Sequence, residues 1–311
     1  MRRTITTLAV AALALGWTTA CEPPPPPASF TVNVAPGVTG GDATPGDGVC
    51  ETAPGNGVCT LDAAVQEGNA LGRADIHVPQ VIVRDNPFVL AETTITGQLL
   101  FSSEYEYDVR EFEIRASDLQ IAPGGRLSLE QVDLHITGTA TVEGALLMHR
   151  LVVSGWIDIS DTGLVSLVNA WAGVWASSLP TPASGAWVTN RGTFVSRFSF
   201  LSRNMAPAIA PAIVHTLDGG STGLGANLVS RGSITTPDCL GNPPVSEGYN
   251  STRACGLDSV GDIDDGSNGF PLTDIPLGAV GCGTDVTIDW WGHARPAPDG
   301  PPRCSRGSWT G

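Results

Sequence analysis

Hydrophobic and polar positions alternate in short bursts along most of this chain, and most bursts end at turn-forming residues. Phe30-Thr31-Val32-Asn33-Val34 alternates and predicts an opening strand. Ile76-His77-Val78-Pro79 and Val81-Ile82-Val83 are short apolar pieces of the same kind. Over residues 101–109, Tyr105, Tyr107 and Val109 fall on one face and Glu104, Glu106 and Asp108 on the other. That pattern predicts a buried aromatic side and an acidic solvent side. One stretch keeps a different period. Leu61, Ala64, Val65 and Gly68 stand at i, i+3, i+4 and i+7, predicting a short helix with Thr60 as its N-cap. The helix face is apolar but small-sided, suited to lying closely on the end of something larger.

The middle of the chain repeats weakly. Gly125-Arg126-Leu127-Ser128-Leu129 is followed by Gly144-Ala145-Leu146-Leu147-Met148, then Gly163-Leu164-Val165-Ser166-Leu167 and Gly192-Thr193-Phe194-Val195-Ser196. The glycines step by 19, 19 and 29 residues, and the longest step contains the Pro-rich residues 177–184. Repeats of about twenty residues, each a strand with turns, are what one coil of a β-helix needs. Each coil hides its apolar side chains only by stacking on its neighbours, so both ends need covers. The expected fold is all-β, a parallel β-helix or solenoid with a short N-terminal capping helix. A β-sandwich of the same strands is the alternative.

Composition agrees with many short strands and frequent turns. Of 311 residues, 38 are Gly and 24 Pro, charged residues make up 15%, and every one of the 16 basic residues is Arg. The net charge of −15 excludes a nucleic-acid surface, which needs clustered cations to neutralise phosphates. The N-terminus reads as an export signal: Arg2-Arg3, an apolar run over residues 5–16, then Thr18-Thr19-Ala20 before Cys21. It resembles a bacterial lipoprotein signal, departing at Thr18, where an aliphatic residue is usual. That resemblance implies that Cys21 is acylated and holds the protein to a membrane. Glu22-Pro23-Pro24-Pro25-Pro26-Pro27 then reads as a stiff spacer. Localisation is expected to be the cell surface or cell envelope.

With Cys21 set aside, six cysteines remain: Cys50, Cys59, Cys239, Cys255, Cys282 and Cys304. An even set in an exported chain implies disulfides, and proximity in sequence favours Cys50–Cys59, Cys239–Cys255 and Cys282–Cys304. Zinc is the competing reading, disfavoured because no Cys-x-x-Cys spacing exists.

Phe30-Thr31-Val32-Asn33, Gly46-Asp47-Gly48-Val49-Cys50 and Cys59-Thr60-Leu61 through Gln66 and Asn69 resemble the CSLREA domain, which opens many bacterial surface proteins of right-handed parallel β-helix type. Here Thr60 replaces the family's Ser, and Asp62-Ala63 replaces Arg-Glu. The Glu of that motif would complete a capping box, so Ala63→Glu is expected to stabilise by roughly 0.5–1 kcal/mol. Asp62 offsets part of the loss through the helix dipole. At the other end, Ser233-Ile234, Cys239, Val245-Ser246-Glu247-Gly248-Tyr249-Asn250 and Cys255-Gly256-Leu257 resemble the last coils of the choice-of-anchor Q domain. So does the run over residues 289–296 with Cys304 after it. The resemblances imply a division into signal peptide (1–20), lipidated Cys21 and spacer (21–29), N-terminal cap (30–75), coils (76–232), and C-terminal coils and cap (233–311).

Neither resemblance carries a catalytic set. The best local acid pair is Asp158 with Asp161, with Arg150 expected one coil away, and a glycosidase would need two carboxyls facing one bond. Asp258, Asp262, Asp264, Asp265 and Asn268 gather in a Gly-rich loop and hint at calcium, though the spacing fails that of an EF-hand. No other cofactor is expected. Among the tryptophans, Trp171, Trp175, Trp187, Trp290, Trp291 and Trp309 could stack on sugar rings, with Trp290 and Trp291 read rather as packing a C-terminal cap. The expected function is a surface-anchored, non-enzymatic module that binds carbohydrate or protein or serves as a structural stalk. The alternative is a carbohydrate-active hydrolase or lyase.

Overall fold

A computed structural model describes residues 26–79, 87–91, 94–103, 114–173, 186–202, 212–225, 227–230, 238–250, 252, 255–260, 262, 275–276, 282 and 303–304. The expectations for Cys21, for the tyrosines at 105 and 107, for residues 81–83 and for residues 289–296 lie outside them.

The described residues are mostly strand, with one helix, and the strands form long parallel sheets. Nine strands make the first sheet: Ala28–Thr31, Arg73–His77, Gln98–Ser102, Arg126–Glu130, Ala145–His149, Leu164–Val168, Thr193–Arg197, Ser221–Gly225 and Val245–Gly248. They pair in sequence order, each parallel to the next. From Arg73–His77 onward the chain visits a second, twelve-stranded sheet between consecutive strands of this sheet and returns; between its first two strands it forms the helix instead. Strands Leu134–Val142 and Val152–Ile159 are long enough to serve two rows of that second sheet. Their register shifts between Ser154 and Trp156, beside Gly155 at φ 130°.

Period-two side-chain alternation gives each strand of the first sheet an inner and an outer set. One inner column runs Ala74, Leu99, Leu127, Leu146, Val165, Phe194, Thr222. The other runs Phe30, Ile76, Phe101, Leu129, Met148, Leu167, Ser196, Leu224. The glycines of the sequence repeat stand at the turn entering each strand. Ala145, Leu164 and Thr193 donate their N–H to the carbonyls of Gly125, Gly144 and Gly163 at 2.8–3.0 Å. A Cβ at Gly144 would overlap the carbonyl oxygen of Gly125, and one at Gly192 that of Gly163, so no larger residue fits the column. Gly97 and Gly220 extend it in both directions, which the repeat alone did not show.

Where the chain leaves this sheet, Gln131, Arg150, Asn169 and Phe198 adopt left-handed φ of 49–58°. The residue after each corner, Val132, Leu151, Ala170 and Ser199, points inward and is fully buried.

The helix spans Leu61–Leu71. Thr60 is its N-cap as expected, with Oγ1 accepting from the Ala63 N–H at 3.1 Å, and Gly72 ends it in a left-handed conformation at φ 78°. It packs on strands Arg73–His77 and Gln98–Ser102, where a Cβ at Gly68 would run into Leu99. The expectation that a Glu suits position 63 is overturned. Ala63 has no exposed surface, so a Glu there would place a carboxylate in the packed side. Asp62 lies in the first turn, where the helix dipole favours it, but it is buried: it is 4% exposed, and its Oδ1 accepts the Ala91 N–H at 2.7 Å.

Two expected disulfides are present, Cys50–Cys59 and Cys239–Cys255. Cys282 is disulfide-bonded as well. The side chain of Cys304 lies outside the description, although its backbone pairs antiparallel with Ile275.

Candidate binding face

The outer side chains of the first sheet form an open groove of about 540 Å³ across five strands. Register sets its anatomy. Along one flank Arg73, Gln98 and Arg126 stand on consecutive strands. The floor is the column Asp75, Leu100, Ser128, Leu147, Ser166. On the far flank Glu130 and His149 are neighbours, with Nδ1 of His149 3.9 Å from Oε1 of Glu130. Burial holds the His149 pKa below the usual imidazole value despite the pull of Glu130, with Arg150 adding to the depression. Arg126 donates Nε to Ser128 Oγ at 3.1 Å, which aligns its guanidinium along the strand. A second hollow of about 410 Å³ adjoins the groove beside the turn glycines, sharing Gln98 and Arg126.

The residues singled out from sequence do not converge here. Asp158 pairs with Arg191 at 3.4 Å, both side chains close to half exposed. Arg150 is not its partner: it occupies a left-handed corner before the strand on which Asp158 lies, and Arg191 follows the neighbouring strand Ala186–Asn190. Asp161 is an exposed turn residue. Asp262 commits both oxygens to hydrogen bonds, Oδ2 to Ser246 Oγ and the Ser259 N–H, Oδ1 to the N–H and Nδ2 of Asn250. Asp258 is exposed, and 264, 265 and 268 are outside the description. Among the described residues no three His, Cys, Asp or Glu side chains are grouped to hold a metal. Trp187 is buried and meets Phe194 of the facing sheet edge-on at 6.4 Å, so it is core rather than a sugar platform. Trp171 packs edge-on to Phe200 at 5.4 Å. The remaining tryptophans of interest lie outside the description.

Three of the acids buried by the fold were invisible in sequence because their partners are far away along the chain. Asp62 is one. Glu67 is fully buried, and its carboxylate accepts the N–H groups of Gly46 and Gly48. Gly46-Asp47-Gly48, quoted above only as a likeness, thus has a job: the two amides form a small anion nest for Glu67. Asp133 is 1% exposed; burial raises its pKa to about 8, against the lowering effect of the Val152 N–H that Oδ1 accepts at 2.6 Å. Its Oδ2 has no partner among the described residues. Register sets His135 two residues on, with Ser154 beside it on the next strand. The pKa of His135 is lowered by burial and by Arg115. Ser154 has no exposed surface, so a substrate has no path to its hydroxyl and a nucleophilic triad is not built here.

No helix among the described residues is long and apolar enough to cross a membrane. No protein-family model, no curated protein and no solved structure matches this chain.

Proposed function

We propose that this chain is an exported surface lipoprotein, anchored through a lipid on Cys21, whose folded part is a right-handed parallel β-helix that binds carbohydrate or another surface protein without chemistry. The helix after Cys59 covers its first coil in the manner of a CSLREA domain, and the segment from residue 233 closes the far end like a choice-of-anchor Q domain. The observation that carries this reading is the nine-stranded parallel sheet, whose strands return to register every 19–29 residues through most of its length. Such a stack presents a long regular face, and the groove on it is lined by ordinary surface polar groups with Leu100 and Leu147 in its floor. Asp158 and Asp161, the acids nominated for a glycosidase, sit away from that groove.

The test has two arms. Radiolabelled palmitate should enter the wild type and not Cys21→Ser. Purified protein incubated with a polysaccharide panel should release no reducing ends; sustained release that Asp158→Ala or Asp161→Ala abolishes would replace this reading with a carbohydrate-active enzyme.

A further inference from the structure

We propose that the groove on the outer face of the nine-stranded sheet is a track for an extended, uncharged polysaccharide running across the strands, held at alternate strands by Arg73 with Asp75 and by Arg126 with Glu130. This rests on the reading of the chain as a binding module and names what it binds.

Spacing is the first argument. Neighbouring strands lie about 4.8 Å apart, so Arg73 and Arg126, separated by the Gln98 strand, recur at about 9.6 Å. An extended pyranose chain advances by about one strand spacing per sugar, and its two edges alternate from unit to unit. A polymer laid across the strands therefore meets an Arg and an acid on the first and third of the five strands, with the neutral Gln98 strand between, and only neutral side chains on the fifth. The floor suits the same ligand: Leu100 and Leu147 offer aliphatic patches to the C–H face of a sugar ring, and Ser128 and Ser166 offer hydroxyls.

Charge decides the class. Two guanidinium groups face two carboxylates, so the groove is balanced, while the whole chain carries −15. A polyanion would satisfy the arginines, leave Asp75 and Glu130 facing like charge, and be repelled at long range. A polycation would leave the arginines unmatched. A neutral polyol donates to carboxylates and accepts from guanidinium groups with the same hydroxyls. Apart from Glu130, which stands 3.9 Å from His149 Nδ1, the groups are available for this work. Among the described residues Arg73, Asp75 and Gln98 have no side-chain partner, and Arg126 has engaged only Nε, with Ser128.

Affinity electrophoresis of the full mature chain is the test, in native gels cast with soluble glucan, mannan or xylan, and with alginate and chitosan as the charged counterparts. At least one neutral polymer should retard the protein. Arg126→Ala and Asp75→Asn should each raise the apparent Kd about tenfold, the loss of one charge-assisted hydrogen bond. Leu147→Trp, which fills the floor beside Ser128 without removing a hydrogen bond, should abolish retardation. Arg191→Ala, in the turn after strand Ala186–Asn190, should keep the wild-type apparent Kd. Retardation by alginate or chitosan alone, by no polymer, or equally for all groove variants would overturn the proposal. Palmitate labelling that persists in such a case leaves the surface-module reading standing, whereas reducing ends released from a retarding polymer would remove the non-enzymatic reading and keep the track.

Discussion

The two halves of the stacked strands bury different chemistry behind the same backbone. Up to strand Leu164–Val168, the inner columns of the first sheet are apolar throughout; beyond it Ser196 and Thr222 enter them. The second sheet changes at the same level, where Ile95, Ile121, Val142 and Ile159 give way to Asn190 and Thr216. The corner column changes too, from Val132, Leu151 and Ala170 to Ser199, Asn227 and Asn250, all fully buried. There the polar residues build a ladder in which each backbone N–H donates to the side chain one level on. Ala170 donates to Ser199 Oγ at 3.2 Å, Ser199 to Asn227 Oδ1 at 3.1 Å, Asn227 to Asn250 Oδ1 at 3.1 Å, and Asn250 to Asp262 Oδ1 at 2.8 Å. Apolar stacking tolerates many side chains of about the right size, whereas the ladder specifies partners. The same register supports both, so the switch is a choice of specificity rather than of fold.

Asp133 is a buried acid in the apolar half, and breaking it should give the largest effect. Folded, burial holds its pKa at about 8, far above the ordinary carboxylate value of 3.8 that it has in the unfolded chain. Across that window the unfolded chain binds fewer protons, so stability falls as pH rises, by on the order of 5 kcal/mol in total. Urea titrations from pH 4 to 8 should show this slope, and Asp133→Asn should remove it; a flat wild-type profile would refute the assignment. Next comes Phe101→Ala, which empties a fully enclosed apolar site and should cost about 3–5 kcal/mol. In the polar half, Asn227→Leu is close in volume but leaves the Ser199 N–H and Ser196 Oγ without their acceptor, costing about 1–3 kcal/mol for each stranded group. A neutral outcome would show that the ladder is decoration on an apolar stack. Smallest is Ser196→Ala, in the same column as Phe101, at about 1 kcal/mol by thermal melt, since one hydrogen bond to Asn227 goes and little volume changes.

That contrast also governs what could be read from the sequence. The Gly-x-apolar-x-apolar units at 125, 144 and 163 were legible because their inner residues are Leu, Met and Val. Gly220-Ser221-Thr222-Gly223-Leu224 stacks on the unit at 192, yet Thr222 erases the period-two signal just where the interior turns polar. Gly97 was missed for another reason. Its unit is polar only at Gln98 and then continuous, Leu99-Leu100-Phe101, because Leu100 faces the groove. The helix, its N-cap and two disulfides were legible from local spacing. The roles of Asp62, Glu67 and Asp133 were not, since each side chain's hydrogen-bond partner lies 19–29 residues away. The groove was hidden in the same way, its flanks being assembled one residue per strand.

The column of turn glycines carries a consequence for how such a molecule can change length. Each turn is set against the one before it by a carbonyl contact that admits no side chain, while the excursions between turns vary from 19 to 29 residues. The rail is therefore indifferent to what hangs between its ties. Deleting residues 145–163 would remove one whole storey and set Leu164 onto Arg126, with Val165 over Leu127 and Leu167 over Leu129. A protein joined in this way can be shortened or extended in whole storeys, and the groove on its outer face would shorten or extend with it.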